Sequence, residues 1–211
     1  HPDTLAELFS VLASCIGSGV SPASLEKTFQ TERRISVSDD TIHDYIGHFE
    51  DAFVVSRAKK YNIKGKKYIN TPYKVYFEDI GVRNAVTEFR QIEETHIMEN
   101  ILYNELVGRG FDVDVGVVVT NERSRGGGSC RKQLEIDFVV NYGSKKYYIQ
   151  SALNVDEPEK MASELRPLKS TGDFFKKIII TRTSSKAWSD EEGILHLGLI
   201  EFLLNEKSLE L

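Results

Sequence analysis

Apolar residues recur every three or four positions at the start of the chain. Leu5, Leu8, Phe9, Leu12 and Ile16 follow this spacing, which predicts an amphipathic helix that ends at the Gly-Ser-Gly segment after it. Two further helices are predicted. Ser21 and Pro22 begin the second, and Ser38 with two aspartates begins the third, since serine caps helices and proline fits a first turn. The apolar face of the third helix comprises Ile42, Tyr45, Ile46, Phe49 and Phe53.

A β-hairpin with a basic tip is predicted after the third helix. Its strands include residues 54–57 and 74–77, and the turn contains Lys64-Gly65-Lys66. Three helices followed by a basic hairpin is the order of a winged-helix domain. We therefore assign residues 1–85 to a winged-helix-like domain.

The pattern changes to a mixture of helices and strands in the second part of the chain. A long helix from Glu93 to Gly110 precedes three strands, a helix and a fourth strand, an order that predicts a mixed α/β core with two strands made parallel by the crossover helix. The strands are predicted at 111–120, 134–140, 146–151 and 177–181, the crossover helix at 158–169, an edge strand at 193–197 and a closing helix at 198–204.

The second and third of these strands form a hairpin, and each carries one metal-capable oxygen side chain. Asp137 lies on the first strand and Gln150 on the second. Metal-dependent nucleases of the PD-(D/E)xK type have an Asp at the first position, an acid or Gln at the second, and a Lys two residues later, where this chain has Ala152. Residues 86–211 are therefore assigned to a nuclease-like domain, a restriction-endonuclease-like mixed β-sheet flanked by helices. Strict alternation along the strand places Asp137 on the same face as Glu135 and Val139.

A third acid is expected from the long helix. Glu99 ranks first, because its spacing to Gly110 resembles that of the helix glutamate in resolvase-like members of the superfamily. Glu105 ranks second, because helical phase places it in the apolar stripe and predicts that it is the more buried acid. Each also has a simpler interpretation: Glu99 as a surface charge, and Glu105 as the partner of Arg109 one turn on.

Mg²⁺ is the cofactor that this site would hold if it is functional, with Asp137, Glu99 and Gln150 as ligands and Glu105 as the alternate. Arg166 could supply positive charge in place of the missing lysine. Because a neutral amide replaces a carboxylate and the lysine is absent, the four candidates Asp137, Gln150, Glu99 and Arg166 are interpreted as vestigial catalytic residues.

The charge distribution decides whether DNA is a plausible partner. The formal net charge is −5, which argues against a whole-surface nucleic-acid binder. The predicted third helix also carries acids that repel phosphate, among them Asp44, Glu50 and Asp51. Positive charge is concentrated in the hairpin, and the candidate nucleic-acid contacts there are Arg57, Lys59, Lys60, Lys64, Lys66 and Lys67. A solvated hairpin without a nucleic-acid role is the alternative. A second basic cluster of Arg123, Arg125, Arg131 and Lys132 brackets a predicted loop tip, Gly126-Gly127-Gly128.

Composition is that of an ordinary globular protein of 211 residues with 40% hydrophobic content. No stretch reaches the roughly 20 apolar residues that span a bilayer, so we expect a cytoplasmic protein with no membrane partner. Cys15 and Cys130 are expected to be free thiols.

Several longer phrases resemble a family of prokaryotic AAA-type ATPases. They include residues 74–84, 98–106, 135–138 and 148–150, with further agreement at 164–168, 177–181, 193–194 and 199–203. The resemblance implies that the chain is the C-terminal part of such a protein, a winged helix followed by a degenerate PD-(D/E)xK-like domain of unknown function. The ATP-binding domain is then expected upstream of His1, since this chain has no G-x-x-x-x-G-K-[ST] loop.

Three functions follow as hypotheses. The first is a DNA- or partner-recognition module without chemistry of its own, next to its upstream ATPase domain. The second is a Mg²⁺-dependent DNA endonuclease. The third is a region that binds another protein or organises oligomers of the ATPase.

Overall fold

The protein divides into two compact units. The computed structural model describes residues 2–123, 129–183 and 186–211. The first unit comprises the residues up to Lys59 together with Asn70–Asn104, and the second comprises Lys60–Ile69 and Glu105–Leu211. The predicted boundary at residues 85 and 86 lies inside the first unit. Arg125 and the predicted loop tip Gly126-Gly127-Gly128 lie outside the described residues.

The first unit begins with helices and short strands in alternation. Its elements are α1 (Pro2–Ser14), β1 (Gly19–Val20), α2 (Pro22–Thr28), a π-helical segment (Phe29–Arg33), α3 (Asp39–Asp51), most of β2 (Val55–Asn62), most of β3 (Lys67–Phe77), α4 (Ile80–Val86) and the first part of α5 (Glu94–Gly108). β1 pairs with β3 in antiparallel orientation, and β3 lies next to β2.

Local capping explains where these helices begin. Ser21 and Ser24 form a reciprocal capping box at α2, in which the Ser21 hydroxyl accepts the Ser24 N–H at 3.2 Å and the Ser24 hydroxyl accepts the Ser21 N–H at 3.0 Å. The Ser38 hydroxyl accepts the Thr41 N–H at 3.3 Å and caps α3. Both predicted helix starts are confirmed.

The end of α3 differs from the prediction. Phe53 was expected on the apolar face of the helix, but α3 ends at Asp51 and Phe53 has a positive φ of 53° with 84% of its side chain exposed. The apolar face therefore stops at Phe49, and Phe53 lies outside the core. Ile42 and Ile46 pack in the first-unit core with Leu8, Leu12, Leu25, Phe29, Val55, Tyr73, Val75 and Phe77.

A buried arginine ties together three segments of the first unit. Arg83 of α4 is 1% exposed, and its Nε donates to the carbonyl of Ala13 at the end of α1 at 2.8 Å. Its Nη1 donates to the Gln91 carbonyl at 2.5 Å. Burial lowers the pKa of Arg83. Because the ends of helices expose carbonyls without intrahelical partners, a cation at this position satisfies α1 and anchors α4 at the same time.

The second unit contains a mixed sheet flanked by helices. Its elements are β4 (Asp112–Arg123), β5 (Ser129–Tyr142), β6 (Lys145–Ala152), α6 (Pro158–Lys169), β7 (Lys176–Thr181), β8 (Trp188–Ser189), β9 (Leu195–Gly198), α7 (Leu199–Leu204) and a 3₁₀ turn (Ser208–Glu210). β4, β5 and β6 are antiparallel neighbours, whereas β7 is parallel to both β6 and β9. The expected parallel pair across the crossover helix is confirmed.

Two strands at the sides of this sheet extend the predicted topology. β9 was expected at the edge, but the two-residue β8 pairs with it in antiparallel orientation. At the other side, Lys60–Asn62 of β2 pairs in parallel with residues 115–117 of β4. The tip of the basic hairpin therefore belongs to the second unit and contributes to its sheet. None of the described helices is both long and apolar enough to span a bilayer.

A β-bulge changes the facing of side chains in β5. Asp114 pairs with Val139 and Gly116 pairs with Ile136, so one residue of β4 lies opposite both Asp137 and Phe138. The expected alternation, with Asp137 and Val139 on one face, is wrong for this reason. Ile136 and Val139 instead belong to the same apolar cluster, together with Ile63, Val118, Leu134, Tyr148, Ala152, Leu165, Leu168, Ile179 and Ile194.

Gly116 allows this arrangement because it has no side chain. A Cβ at this position would lie 2.9 Å from both the Ile136 Cβ and the Val139 Cγ2, and 3.1 Å from the Ile63 Cδ1. These distances are shorter than normal carbon contacts, and the neighbours are core side chains that cannot move without disturbing the packing.

Gly116→Ala is therefore predicted to destabilise the protein by about 1–3 kcal/mol, the usual cost of overpacking a core. Urea denaturation followed by circular dichroism measures the change. Gly108→Ala is the matched control, because a Cβ there meets nothing within 4 Å and alanine is favoured over glycine in a helix. Equal stabilities of the two variants would contradict this account of the bulge.

Candidate functional site

Asp137, the principal candidate metal ligand, lies at the bulge and is 9% exposed. Its Oδ2 accepts the backbone N–H of Ser151 at 2.8 Å. The paired positions of β5 and β6 extend from Tyr142 and Lys145 to Phe138 and Ile149, and Ser151 lies beyond that point. The carboxylate thus takes the place of a backbone carbonyl where the bulge distorts the ladder. Asp137 has a structural function whether or not it also binds a metal.

Gln150 lies on β6 between Ile149 and Ser151 and is 7% exposed. Its Nε2 donates to Oε2 of Glu164 on α6 at 3.2 Å. Side chains alternate along a strand, so Gln150 shares its face with Tyr148 and Ala152, which pack in the apolar cluster beneath α6. Glu164 was not among the predicted site residues, although its place in the first turns of α6, one residue before the buried Leu165, was a usable signal.

Two buried polar atoms of consecutive β6 residues, on opposite faces of the strand, have no hydrogen-bond partner within the described part of the chain. They are Oε1 of Gln150 and Oγ of Ser151. Buried polar groups in folded proteins are nearly always paired, so such atoms mark a position where a water, an ion or a ligand is accommodated.

Position 152, where the nuclease motif has a lysine, lies in apolar surroundings. Ala152 is 3% exposed and packs in the cluster that contains Leu165 and Leu168 of α6. Arg166, the expected substitute cation, is a solvent-exposed residue of the same helix. A lysine at position 152 would therefore lie among aliphatic side chains.

Glu99 belongs to the first unit and is 6% exposed. Its Oε1 accepts from the Lys74 ammonium at 2.8 Å and from the Tyr76 hydroxyl at 2.5 Å. The Tyr76 ring stacks on Tyr103 with 4.2 Å between centroids. The interpretation of Glu99 as a surface charge is wrong. A strand lysine and a strand tyrosine hold this helix acid in the interior of the first unit, where the ion pair is shielded from water.

Glu105 has the role expected of a helix-surface acid. Its Oε1 accepts from Nε of Arg109 one turn later at 2.7 Å, and 34% of its side chain is exposed. The expectation that Glu105 is the more buried of the two acids is therefore wrong, because the apolar stripe of α5 is centred on Met98, Leu102 and Leu106. Nη2 of Arg109 also donates a hydrogen bond to the carbonyl of Phe202, so the Glu105–Arg109 pair joins α5 to α7 within the second unit.

The predicted nucleic-acid residues fall into two groups. Arg57 pairs with Glu50 of α3 and lies 5.5 Å from the centroid of the Tyr73 ring, and Lys60 pairs with Glu135 at 2.6 Å. Their charges are compensated by acids. The remaining four residues are exposed, and they are Lys59, Lys64, Lys66 and Lys67.

A concave surface of the first unit lies between α2, α3, β2 and β3. It encloses about 350 Å³ and is lined by His43, Arg57, Lys59, Asn70, Thr71, Tyr73 and Pro22. We call this surface the cationic cleft. The side chains provide two cations, an imidazole, an amide and two hydroxyls. This set of groups suits an anionic, hydrogen-bonding ligand.

The described side chains around Asp137 provide few ligands for a metal ion. Within the described residues, no group of three or more His, Cys, Asp or Glu side chains is placed to hold a metal ion together. Asp137 offers one carboxylate with one oxygen already bonded to an amide, and Gln150 offers a neutral oxygen. Mg²⁺ is bound by one or two carboxylates together with substrate phosphates, so this pair of residues fits only a site completed by a substrate.

Comparison with known proteins identifies relatives without an assigned function. Residues 1–93 match a family model described as a domain of unknown function, DUF8612. An uncharacterized protein of Haemophilus influenzae is 30% identical over 200 residues, which is 95% of this chain and 46% of that protein. The uncharacterized protein MJ1544 of Methanocaldococcus jannaschii is 28% identical over 138 residues, which is 65% of this chain and 27% of that protein.

The chain spans less than half the length of these curated relatives. Among solved structures, protein VC1899 from Vibrio cholerae aligns with 98% of this chain and 55% of its own chain, at 15% identity and a TM-score of 0.34. The chain is thus similar to longer proteins of unknown function.

Proposed function

We propose that this chain is the non-ATPase, C-terminal part of an AAA-type ATPase and acts as a DNA-recognition module. In this proposal the first unit is a winged-helix domain that contacts duplex DNA through the cationic cleft. The second unit retains the framework of a PD-(D/E)xK nuclease without its chemistry. The cationic cleft is the observation on which the proposal depends.

The order of elements in the first unit supports the winged-helix assignment. Helix, strand, helix, helix and two strands follow one another, and the sheet order is β1, β3, β2. α3 provides one wall of the cleft through His43, and β2 and β3 provide the others. A helix beside a hairpin is the arrangement with which winged-helix domains contact a groove and its phosphates.

The charge of Glu50, one of the acids of α3, does not oppose phosphate at the cleft. Arg57 pairs with its carboxylate, and the Arg57 N–H donates to Glu50 Oε1 at 3.1 Å. Lys59 is exposed at the cleft and forms no ion pair in the described structure. The cleft therefore presents Lys59 as its uncompensated cation, with hydrogen-bond donors beside it.

The state of the nuclease-like residues supports recognition over catalysis. Phosphodiester hydrolysis depends on cations and metal ligands that are arranged before the substrate binds. Here Asp137 accepts a backbone amide, Gln150 is neutral and bonded to Glu164, and Ala152 replaces the lysine. Each of these changes weakens the electrostatic stabilisation of an attacking hydroxide.

The length of the relatives supports a larger parent protein. The Haemophilus influenzae relative has more than half of its length outside the matched region, which leaves room there for another domain. A phosphate-loop motif encoded upstream of His1 would support the ATPase assignment, and a complete reading frame without one would contradict it.

We predict that the chain binds duplex DNA in a salt-dependent manner and that Lys59→Gln weakens this binding. Removal of one phosphate contact should reduce the slope of log K against log salt by about 0.9. Fluorescence anisotropy with a labelled duplex over a range of salt concentrations measures both the affinity and the slope.

The matched control for this measurement is Lys160→Gln, which removes an exposed lysine from α6 of the second unit. It should leave the duplex affinity near that of the unchanged protein. Absence of salt-sensitive binding would overturn the DNA proposal and favour a protein-binding or oligomerisation role. Equal effects of the two substitutions would place the interface outside the cleft.

A Mg²⁺-dependent endonuclease is the second candidate function, and the unpartnered Gln150 Oε1 is the observation that favours it. An oxygen that is buried and lacks a hydrogen-bond donor is a suitable ligand for a hard cation. Asp137 and Gln150 would then hold the ion, which would orient a phosphate oxygen and polarise a water molecule when bound.

If this function exists, Asp137→Asn should reduce DNA cleavage by at least about a hundredfold, because the metal loses its charged ligand. The substitution keeps an acceptor oxygen for the Ser151 N–H, so the fold should survive. Plasmid cleavage with Mg²⁺ or Mn²⁺, with Asp156→Asn as an exposed control, measures the effect. Equal cleavage by both variants would show that the activity comes from a contaminant.

A further inference from the structure

A second basic surface lies in the second unit, between the turn that joins β5 to β6 and the loop before β7. It is an open depression of about 450 Å³, and its lining includes Lys145, Lys146, Phe174, Phe175, Lys176 and Glu210. We call it the lysine–phenylalanine surface. It shares no residue with the cationic cleft, and it contains neither Asp137 nor Gln150.

Phe174 is the most unusual residue of this surface, because its side chain is completely exposed, at 104% of the reference area. Phe175 beside it is 42% exposed. Single exposed apolar residues are common in proteins. Two adjacent exposed phenylalanines among lysines are less common and indicate a binding surface.

The backbone that carries Phe174 is held in place by its neighbours. The Tyr148 hydroxyl donates to Oδ2 of Asp173 at 2.7 Å, and the Lys177 ammonium donates to the Asp173 carbonyl at 2.8 Å. The Phe175 ring contacts the Tyr148 ring edge to face at 6.1 Å. Burial, followed by the hydrogen bond to Asp173, raises the pKa of Tyr148 well above its usual value, so the hydroxyl keeps its proton. Phe174 is therefore presented to solvent by an anchored loop.

The lysines of this surface carry charge that carboxylates compensate only in part. Lys145 pairs with Glu210. The Lys146 ammonium lies 5.2 Å from the Phe175 centroid and 5.3 Å from the Tyr61 centroid, and the Lys176 ammonium donates to the Leu211 carbonyl. Glu210 also acts electrostatically on Lys176, so one carboxylate of this surface is shared between Lys145 and Lys176. The surface is thus locally cationic on a chain whose net charge is −5.

We propose that the lysine–phenylalanine surface binds single-stranded nucleic acid. A base stacks on Phe174, and Lys146 and Lys176 contact the flanking phosphates. Exposed aromatic rings beside cations form the usual platform for unpaired strands, because every base has a face that can stack and every nucleotide has a phosphate. A base within a duplex already stacks on its neighbours and cannot use such a ring.

The small number of free rings favours this ligand over an anionic membrane. Membrane-binding loops project apolar side chains outward into lipid, with cations around them. Here Lys146 covers the face of the Phe175 ring, which also contacts Tyr148, so Phe174 is the ring that projects freely into solvent. One free ring is enough to stack on a base, whereas it buries little apolar area in a lipid layer.

The test is fluorescence anisotropy with a labelled oligothymidylate, in parallel with a labelled duplex. Phe174→Ala should weaken binding of the oligothymidylate about tenfold or more, as expected for the loss of one stacked base. Lys146→Gln should weaken it too and reduce the salt slope by about 0.7. Duplex binding, which the proposed function assigns to the cationic cleft, should be unchanged in both variants.

Matched controls are available on the same unit. Leu204→Ala removes an apolar side chain that is 82% exposed, and Lys160→Gln removes an exposed lysine. Neither should alter binding of the oligothymidylate. Because Phe174 makes no packing contribution at full exposure, Phe174→Ala should unfold at the same urea concentration as the unchanged protein.

Three results would overturn the proposal. The first is the absence of oligothymidylate binding, whatever happens with the duplex. The second is binding that Phe174→Ala and Leu204→Ala affect equally. The third is sedimentation with phosphatidylserine vesicles that Phe174→Ala abolishes while oligothymidylate binding persists, which would assign the surface to a membrane.

Discussion

The sheet of the second unit depends on the hydrogen bond from the Ser151 N–H to the Asp137 carboxylate. The bulge in β5 places two residues opposite one of β4, and it distorts the adjoining ladder at the same point. A buried backbone N–H without an acceptor costs about 1–3 kcal/mol, and a charged acceptor stabilises such a bond more than a neutral one. Asp137 therefore allows the bulge to exist in a buried sheet. Gly116 of β4 also allows the bulge, because Ile136 and Val139 occupy the space that a side chain at position 116 would fill.

Under the proposed assignment of the second unit, this constraint explains how a nuclease-like framework could persist without its reaction. An acid that satisfies a backbone amide is needed for folding, so it remains useful when the rest of a metal site is lost. Gln150 and Ala152 are consistent with such a loss, because the amide bonds to Glu164 and the alanine packs under α6. Binding of nucleic acid requires only surface charge and aromatic rings, which the cationic cleft and the lysine–phenylalanine surface offer in separate units. The proposed recognition function would therefore place fewer demands on the fold than catalysis would.

The parts of the fold that could be predicted from the sequence depend on local interactions. Ser21, Ser38 and Asp79 cap the helices that follow them, and a capping side chain needs only the next three residues. The crossover helix and the parallel β6 and β7 follow from the order of elements. The bulge at Asp137 was missed because it depends on pairing with β4, a separate strand. The end of α3 before Phe53 and the short strand β8 were missed although their partners are close in sequence: the Val54 N–H donates to the Phe49 carbonyl, and β8 pairs with the adjacent β9.

Charges were the least predictable part of the candidate sites. Lys60 appeared to be a DNA contact in the sequence, but Glu135 neutralises it across 75 positions of the chain. The simpler interpretation of Glu99 was a surface charge, but Lys74 and Tyr76 hold its carboxylate in the interior. Glu105 and Arg109, only four positions apart, were correctly expected to pair. Spacing predicts a partner on the same helix, whereas a partner on another element depends on the tertiary fold.

Amide hydrogen exchange at Ser151 tests the central claim most directly. If the Asp137 carboxylate replaces a backbone acceptor, the Ser151 amide is protected in the unchanged protein, and Asp137→Ala should accelerate its exchange about 10- to 100-fold, as expected from a bond to a charged group. Asp137→Asn, which retains an acceptor oxygen, should keep most of the protection, and the remaining β6 amides serve as the reference. A Ser151 amide that exchanges at the same rate in the unchanged protein and in Asp137→Ala would contradict the account.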